Sequence, residues 1–400
     1  MNNASTRAMT LSIFTTLLIS VAILLAGCEL ETTDTSTSGG NNSVDLPPVS
    51  GNVQQINFEQ GFGASRGFWQ VYFTGPTGSR DSSTYVGGID TALIEAIDNV
   101  SRTLDIAAFE WKNPAITDAV VRAADRGVRV RMVVDDEHVL EEYEDAELFG
   151  ESNPFGDIVN AGIPYRDDSR SGLMHNKFMI MDSTTVWTGS MNFTMNGTYR
   201  NNNNLLALRA QNVVRAYQAE FDEMFDGGEF GSSRSAVNGT SFSQDGVSVQ
   251  VVFSPEDEPI PVMISELREA NSQIRFMTFS FTRDDVGQAL VDLAANGIDV
   301  EGIFEVRGSR TEFSELPRMF CAGIDVFQDG NSFTFHHKVF IIDDHTVLTG
   351  SFNISDNATE RNDENLVIIE DRDIAAQYLR EYQRVRSQAE VPPAAEITCP

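Results

Sequence analysis

The chain has 400 residues, with 59 acidic side chains against 28 basic ones, a formal net charge of −31 and only three lysines. That balance argues against general nucleic-acid binding, which needs a basic footprint, and against a strongly anionic membrane surface as partner. No Cys/His cluster has zinc spacing and no Gly-rich loop ends in Lys-Ser/Thr, so neither a structural zinc nor a nucleotide is expected.

The amino-terminal segment reads as an address. Arg7 precedes an apolar run over residues 11–25, about the length of a signal segment. Leu25-Ala26-Gly27-Cys28 then looks like a lipoprotein processing site. Residues 1–27 are therefore read as a signal peptide, with lipid attached at Cys28 and the protein held at a membrane outside the cytoplasm. Residues 28–65, rich in Thr, Ser, Gly and Asn, read as a flexible tether.

Two similar halves follow, over residues 66–230 and 247–390. Trp69-Gln70-Val71-Tyr72-Phe73-Thr74-Gly75-Pro76 is echoed by Ser248-Val249-Gln250-Val251-Val252-Phe253-Ser254-Pro255. Next come helices at 93–97 and 263–267, and strands at 104–109 and 274–279. Helices at 115–124 and 286–295 stop at Arg126-Gly127 and Asn296-Gly297 before strands at 128–134 and 298–304. Apolar strands at 178–181 and 339–342 each lead into another, at 185–188 and 346–349. Helices at 213–225 and 374–385 close the halves. The fold class is α/β: two mixed-sheet halves related by a pseudo-two-fold axis, joined by a linker at 231–246 and followed by a tail at 391–400.

The scarce lysines and histidines concentrate in a pattern written twice. His175-Asn176-Lys177, Asp182 and Gly189-Ser190-Met191-Asn192 recur at identical spacing as His336-His337-Lys338, Asp343 and Gly350-Ser351-Phe352-Asn353. On an extended strand, His175 and Lys177 share one face, as do His336 and Lys338. Imidazole, ammonium, hydroxyl and amide groups converging in this way suit an oxyanion.

The duplicated His-x-Lys-x4-Asp pattern followed by Gly-Ser-x-Asn resembles the phospholipase D superfamily, over roughly residues 69–386. The resemblance implies cleavage or transfer at a phosphodiester without an obligatory metal or cofactor, and leaves phospholipids and nucleic acids open as substrates. A covalent route needs two histidines, a nucleophile and a proton donor, so the halves must meet at the site. Family usage makes His175 the nucleophile and His336 the acid, although spacing does not distinguish them. Lys177, Lys338, Asn192 and Asn353 are expected to bind the phosphoryl oxygens, with Ser190 and Ser351 as further donors. Asp182 and Asp343 are expected to orient the histidine rings. Many members carry a glutamate eleven residues after the motif asparagine; here it is Glu364, and the first copy has Asn203 instead.

His337 should face the other side of its strand, and His138 and His345 are expected at the surface. Asp135-Asp136 and Asp284-Asp285 read as strand-end and helix-cap residues. Cys321 and Cys399 are candidates for a disulfide. With both motifs in one chain, a monomer is expected. The favoured partner is a zwitterionic or lightly charged phospholipid, and the alternatives are an extracytoplasmic nuclease or a binding-only descendant.

Overall fold

Apolar alternation along the strands produces two large sheets of matching strand order. The computed structural model describes residues 51–149, 151–233 and 240–399, which lie within the unit Ser43–Pro400. In spatial order the first sheet has Gln54–Asn57, Gly61–Arg66, Trp69–Thr74, Asn204–Leu208, Thr185–Gly189, Lys177–Met181, Thr103–Ala108, Arg129–Val134 and Tyr165–Asp167. The second has Thr240–Gln244, Val247–Ser254, Glu364–Glu370, Thr346–Gly350, Lys338–Ile342, Gln273–Thr278, Asp299–Phe304 and Asp325–Gln328. Leaving out Gln54–Asn57, the two orders correspond strand for strand, and both sheets mix parallel with antiparallel pairs.

Local signals set the helix limits as expected. Asn113 accepts the amides of Ala115 and Ile116 and so caps Pro114–Asp125, which ends before Gly127 at φ +88°. Its counterpart Asp284–Ala295 ends before Gly297 at φ +95°. These helices cover the outer faces of the sheets, each above its own apolar cluster.

A third cluster runs through both halves and joins them. It contains Phe178, Tyr217 and Phe221 together with Phe253, Tyr378 and Tyr382. Helix Gln211–Asp222 packs on the first sheet and also touches Thr240–Gln244, while Arg372–Arg386 packs on the second and touches Trp69–Thr74. Two crossed bonds repeat the symmetry: Tyr217 donates to Asn365 Oδ1 at 2.9 Å, and Tyr378 donates to Asn204 Oδ1 at 3.3 Å.

Two expected connections are structured instead. The stretch read as tether to residue 65 contains Gln54–Asn57 and Gly61–Arg66, with Phe62 and Ala64 buried, and Arg66 pairs with Asp371 and Asp373 of the other half. Its glycine and polar content masked a short alternating strand. The stretch read as linker contains Thr240–Gln244, which pairs with Val247–Ser254 across Asp245 and Gly246, at φ +53° and +82°. Asp-Gly between two extended runs is a hairpin signal. Cys321 and Cys399 form a disulfide, with Cα atoms 5.7 Å apart. No helix among the described residues is long and apolar enough to cross a membrane. The segment read as signal peptide, and Cys28, lie outside the described residues.

Candidate active site

Each motif histidine sits where its own half pairs with the other. The His175 amide donates to Asp363 O and the His336 amide to Asn202 O, both at 3.0 Å, so the backbone before each motif is tied to the opposite half. Both imidazoles are buried, with only 5% and 7% exposure, and Lys177 and Lys338 are buried beneath them. Lys177 Nζ donates to His175 O at 2.6 Å, and Lys338 Nζ to His336 O at 3.0 Å. Alternation turns Asn176 and His337 the other way, onto Glu220 and Glu381 of the central helices at 3.2 and 2.9 Å.

Each ring is oriented by the half it does not belong to. His175 Nδ1 lies 2.7 Å from Glu364 Oε2, while His336 Nδ1 lies 2.9 Å from Asn203 Oδ1 and 3.0 Å from Ser190 O. Acceptors at every Nδ1 fix the Nδ1–H tautomer and leave each Nε2 free for chemistry. The serines support these acceptors. Ser351 donates to Glu364 at 2.7 Å and Ser190 to Asn203 at 2.9 Å, so their hydroxyls hold the orienting residues and are not turned to an oxyanion as expected.

The preceding Gly189 and Gly350 are required by space. A Cβ on either would meet the carbonyl oxygen of Asn204 or Asn365 at 2.4 or 2.2 Å. Asn192 donates to Glu110, and the Oδ1 atoms of Asn192 and Asn353 are buried without a hydrogen-bond partner among the described residues.

Asp182 and Asp343 do not orient the histidines. Each lies at the far end of its strand, five residues beyond the lysine, or roughly 16 Å along an extended chain. There, at φ +52° and +55°, they receive backbone amides: Asp182 from Arg102 at 2.7 Å and Thr103 at 3.0 Å, Asp343 from Ser272 at 2.8 Å and Gln273 at 3.1 Å. Partial burial works against ionisation, but these amides hold both carboxyls below their ordinary range. Their role is to lock the turn at the end of the strand.

Two aromatic residues complete the site. Phe109 lies 4.5 Å from the His175 ring with Lys177 Nζ 4.6 Å from its centroid; Phe279 lies 4.9 Å from His336 with Lys338 Nζ at 4.8 Å. Their sequence signal was present, since both end the same repeated strand, but it read only as strand. His138 is half-buried, its ring 4.3 Å from Phe109 and its Nδ1 2.8 Å from Asp135. It therefore lies at the rim of the site and not on an open surface. His345 is also half-buried, beside Thr346.

Oxygens of Asp135, Asp136 and Asp168 approach within 4.8 Å of one another. Asp135 accepts the amides of His138 and Met174, and Asp168 that of Asp136, as expected of residues that end strands and cap turns. Asp285 pairs with Arg283 at the start of its helix. A cavity of about 1150 Å³ in the second half, among Arg283, Phe313, Arg318 and Ile397, includes none of the motif residues.

The site carries strained charge. Burial, with Lys177 and Lys338 nearby, holds His175 well below its ordinary pKa; burial, Lys338 and Lys177 do the same to His336. Burial lowers Lys177 to about 8, and burial with Lys177 lowers Lys338 well below its ordinary value. Burial pushes Glu364 up to about 8, against the opposing field of Lys177. Glu364 accepts from both His175 and Ser351, and it gives up its proton as pH rises through about 8 or when the imidazole beside it becomes cationic. An anion entering beside the lysines would offset their buried charge, chemistry that suits a phosphate-like group.

Known proteins share this organisation. A family model described as "Cardiolipin synthase, PLD-like domain" matches residues 93–225 and again 263–386. A mitochondrial cardiolipin hydrolase of Xenopus tropicalis is 34% identical over 133 residues, covering 33% of this chain and 59% of the relative, less than two thirds of its length. A phospholipase D of Rickettsia conorii (strain ATCC VR-613 / Malish 7) is 31% identical over 134 residues, covering 34% of this chain and 67% of that protein. The phosphatidylserine synthase structure from Haemophilus influenzae Rd KW20 is alike in fold, with a TM-score of 0.56 and 17% identity over 75% of this chain and 84% of that one.

Proposed function

The chain belongs to the phospholipase D superfamily, with its domain present twice, and from that premise we propose that it is a phosphodiesterase that cleaves the headgroup bond of a phospholipid. The observation that carries the reading is the joining of two buried histidine–lysine pairs at the interface of the halves, each imidazole held through Nδ1 by the opposite half.

His175 Nε2 attacks phosphorus and forms an N–P bond while the bond to the headgroup oxygen breaks. His336 enters the step as the imidazolium, its Nε2 proton retained because the anionic substrate offsets the field of the two lysines, and delivers that proton to that oxygen. Water then loses a proton to His336, its oxygen bonds to phosphorus, and the N–P bond breaks to release a phosphatidic acid. Lys177, Lys338, Asn192 and Asn353 bind the non-bridging oxygens. The Nδ1 partners support this division of roles. The carboxylate of Glu364 stabilises the cationic phosphoimidazole on His175, whereas the neutral acceptors on His336 let it release a proton readily.

The net charge of −31 disfavours a long polyanion, and the names of the relatives point toward lipid. Lipid attachment at Cys28 belongs to the same proposal and places the enzyme at its substrate; a mature chain starting with acylated Cys28 in mass spectrometry is the expected result. Full-length protein in detergent should be assayed on phosphatidylcholine micelles and on single- and double-stranded DNA without added metal. Release of choline and phosphatidic acid with intact DNA is expected. DNA cleavage with untouched lipid, abolished by His175→Ala, would replace the lipid reading with the nuclease, and binding without turnover of either would leave a binding protein.

A further inference from the structure

The two halves end the middle one of their three parallel strands with the same acidic scaffold. After Arg129–Val134, Asp135 accepts the amide of His138 at 3.0 Å, and Asp168 accepts that of Asp136 at 3.0 Å. After Asp299–Phe304, Glu305 accepts the amide of Gly308 at 2.6 Å, and Asp329 accepts that of Val306 at 2.9 Å. Residue for residue, His138 occupies the position of Gly308. The second half thus makes this cap with no side chain at the position of His138, and the cap does not account for the imidazole.

The placement of His138 points to binding. Its ring packs on Phe109, whose ring also contacts His175 and underlies Lys177. Nδ1 is held by the buried Asp135, whose other oxygen accepts the amide of Met174, the residue before His175. Nε2 has no protein partner among the described residues, and 31% of the side chain is exposed. A six-residue π-helical turn, Asp136–Glu141, presents it, and such turns recur at functional sites.

We propose that His138 binds a second phosphate group, adjacent to the one attacked by His175, where the substrate carries one, and so adds affinity for such substrates over those with a single phosphate. This rests on the phosphodiester reading above and is independent of whether the second phosphate is in a lipid or a nucleotide chain. Its hydrogen bond to Asp135 raises the proton affinity of the ring; burial opposes this, and Asp135, Glu137 and Glu110 add to it. The carboxylate of Glu110 is already engaged by Asn192. An oriented imidazolium with a free N–H is a charge-assisted donor to an anionic oxygen.

The test is calorimetric titration of the full chain in detergent with glycerol 3-phosphate and with glycerol 1,3-bisphosphate. The bisphosphate should bind about tenfold tighter or better. In His138→Gly, the residue the second half uses, that ratio should fall toward the factor of about two that its two equivalent ends supply by mass action; His138→Gln should lie between. A ratio unchanged in His138→Gly, or no discrimination by the parent, overturns the subsite while leaving the phosphate site standing. Failure of both ligands to bind the parent overturns the phosphodiester reading as well. Melting curves of each variant establish that the fold is retained.

Discussion

His175 rests on a carboxylate and His336 on a carboxamide and a backbone carbonyl. The surroundings of the two rings otherwise match closely: a buried lysine that donates to the histidine carbonyl, a phenylalanine against the ring, a serine behind the orienting residue, and a glycine under the carbonyl of the next strand. Duplication therefore supplies two equal positions, and one exchange, glutamate for asparagine at equivalent places, makes them unequal. Because each ring is oriented across the interface, the glutamate of the second half acts on the histidine of the first.

The largest expected effect separates the two histidines. His175→Ala should lower turnover by about three orders of magnitude or more, because nothing else supplies the nucleophile. His336→Ala should be equally poor on a phospholipid. With bis(4-nitrophenyl) phosphate, whose leaving group needs no proton, it should release one equivalent of nitrophenolate and trap the phosphoryl group on His175. Quenched-flow kinetics and mass spectrometry decide this, and an adduct on His336 would invert the assignment.

The orienting residues should differ next. Glu364→Gln keeps the hydrogen bond and removes the charge, and a fall in kcat of about a hundredfold or more is expected. Asn203→Ala should cost about tenfold, since the Ser190 carbonyl still holds His336. Equal losses would erase the electrostatic distinction between the halves.

A third contrast concerns stability. Only the second half carries a disulfide among the described residues, between Cys321 and Cys399. Cys321→Ser should lower unfolding free energy by about 2–4 kcal/mol, read from urea denaturation against the oxidised parent, with the reduced parent matching the variant; no change relative to the oxidised parent would show that the bridge adds nothing.

The smallest effect is a pH dependence. Burial raises Glu364 to about 8, so the folded state holds this proton more tightly than the unfolded chain. Its stabilising contribution is complete below the ordinary glutamate range and is lost as pH rises through about 8. Lys177, lowered to about 8, gives a penalty that is constant below that value and fades toward pH 10.5. Between pH 5 and 8 the melting temperature of the parent should therefore fall relative to Glu364→Gln. Parallel curves would mean that Glu364 does not titrate in this window.

Much of this organisation was legible in residue order. Histidine and lysine two apart before an apolar run define one strand face, and Arg126-Gly127 and Asn296-Gly297 mark helix ends because glycine adopts positive φ at little cost. Short strands near the sheet edges were harder to see. Gly61–Arg66 and Thr240–Gln244 have composition typical of loops, and what holds them is pairing with a neighbour already in place.

The sequence by itself determined the duplication, the α/β alternation, the two histidine–lysine pairs and the single glutamate-for-asparagine departure, because spacing along a regular strand or helix is a local property. The tertiary structure decided which residue orients which ring, that Asp182 and Asp343 lock distant turns, that Ser190 and Ser351 act through their neighbours, and that Phe109, Phe279 and His138 border the site. Those relations join residues from opposite halves or opposite strand ends, and nothing in their sequence separation encodes the distance, which arises only when the two sheets close on the central pair of helices.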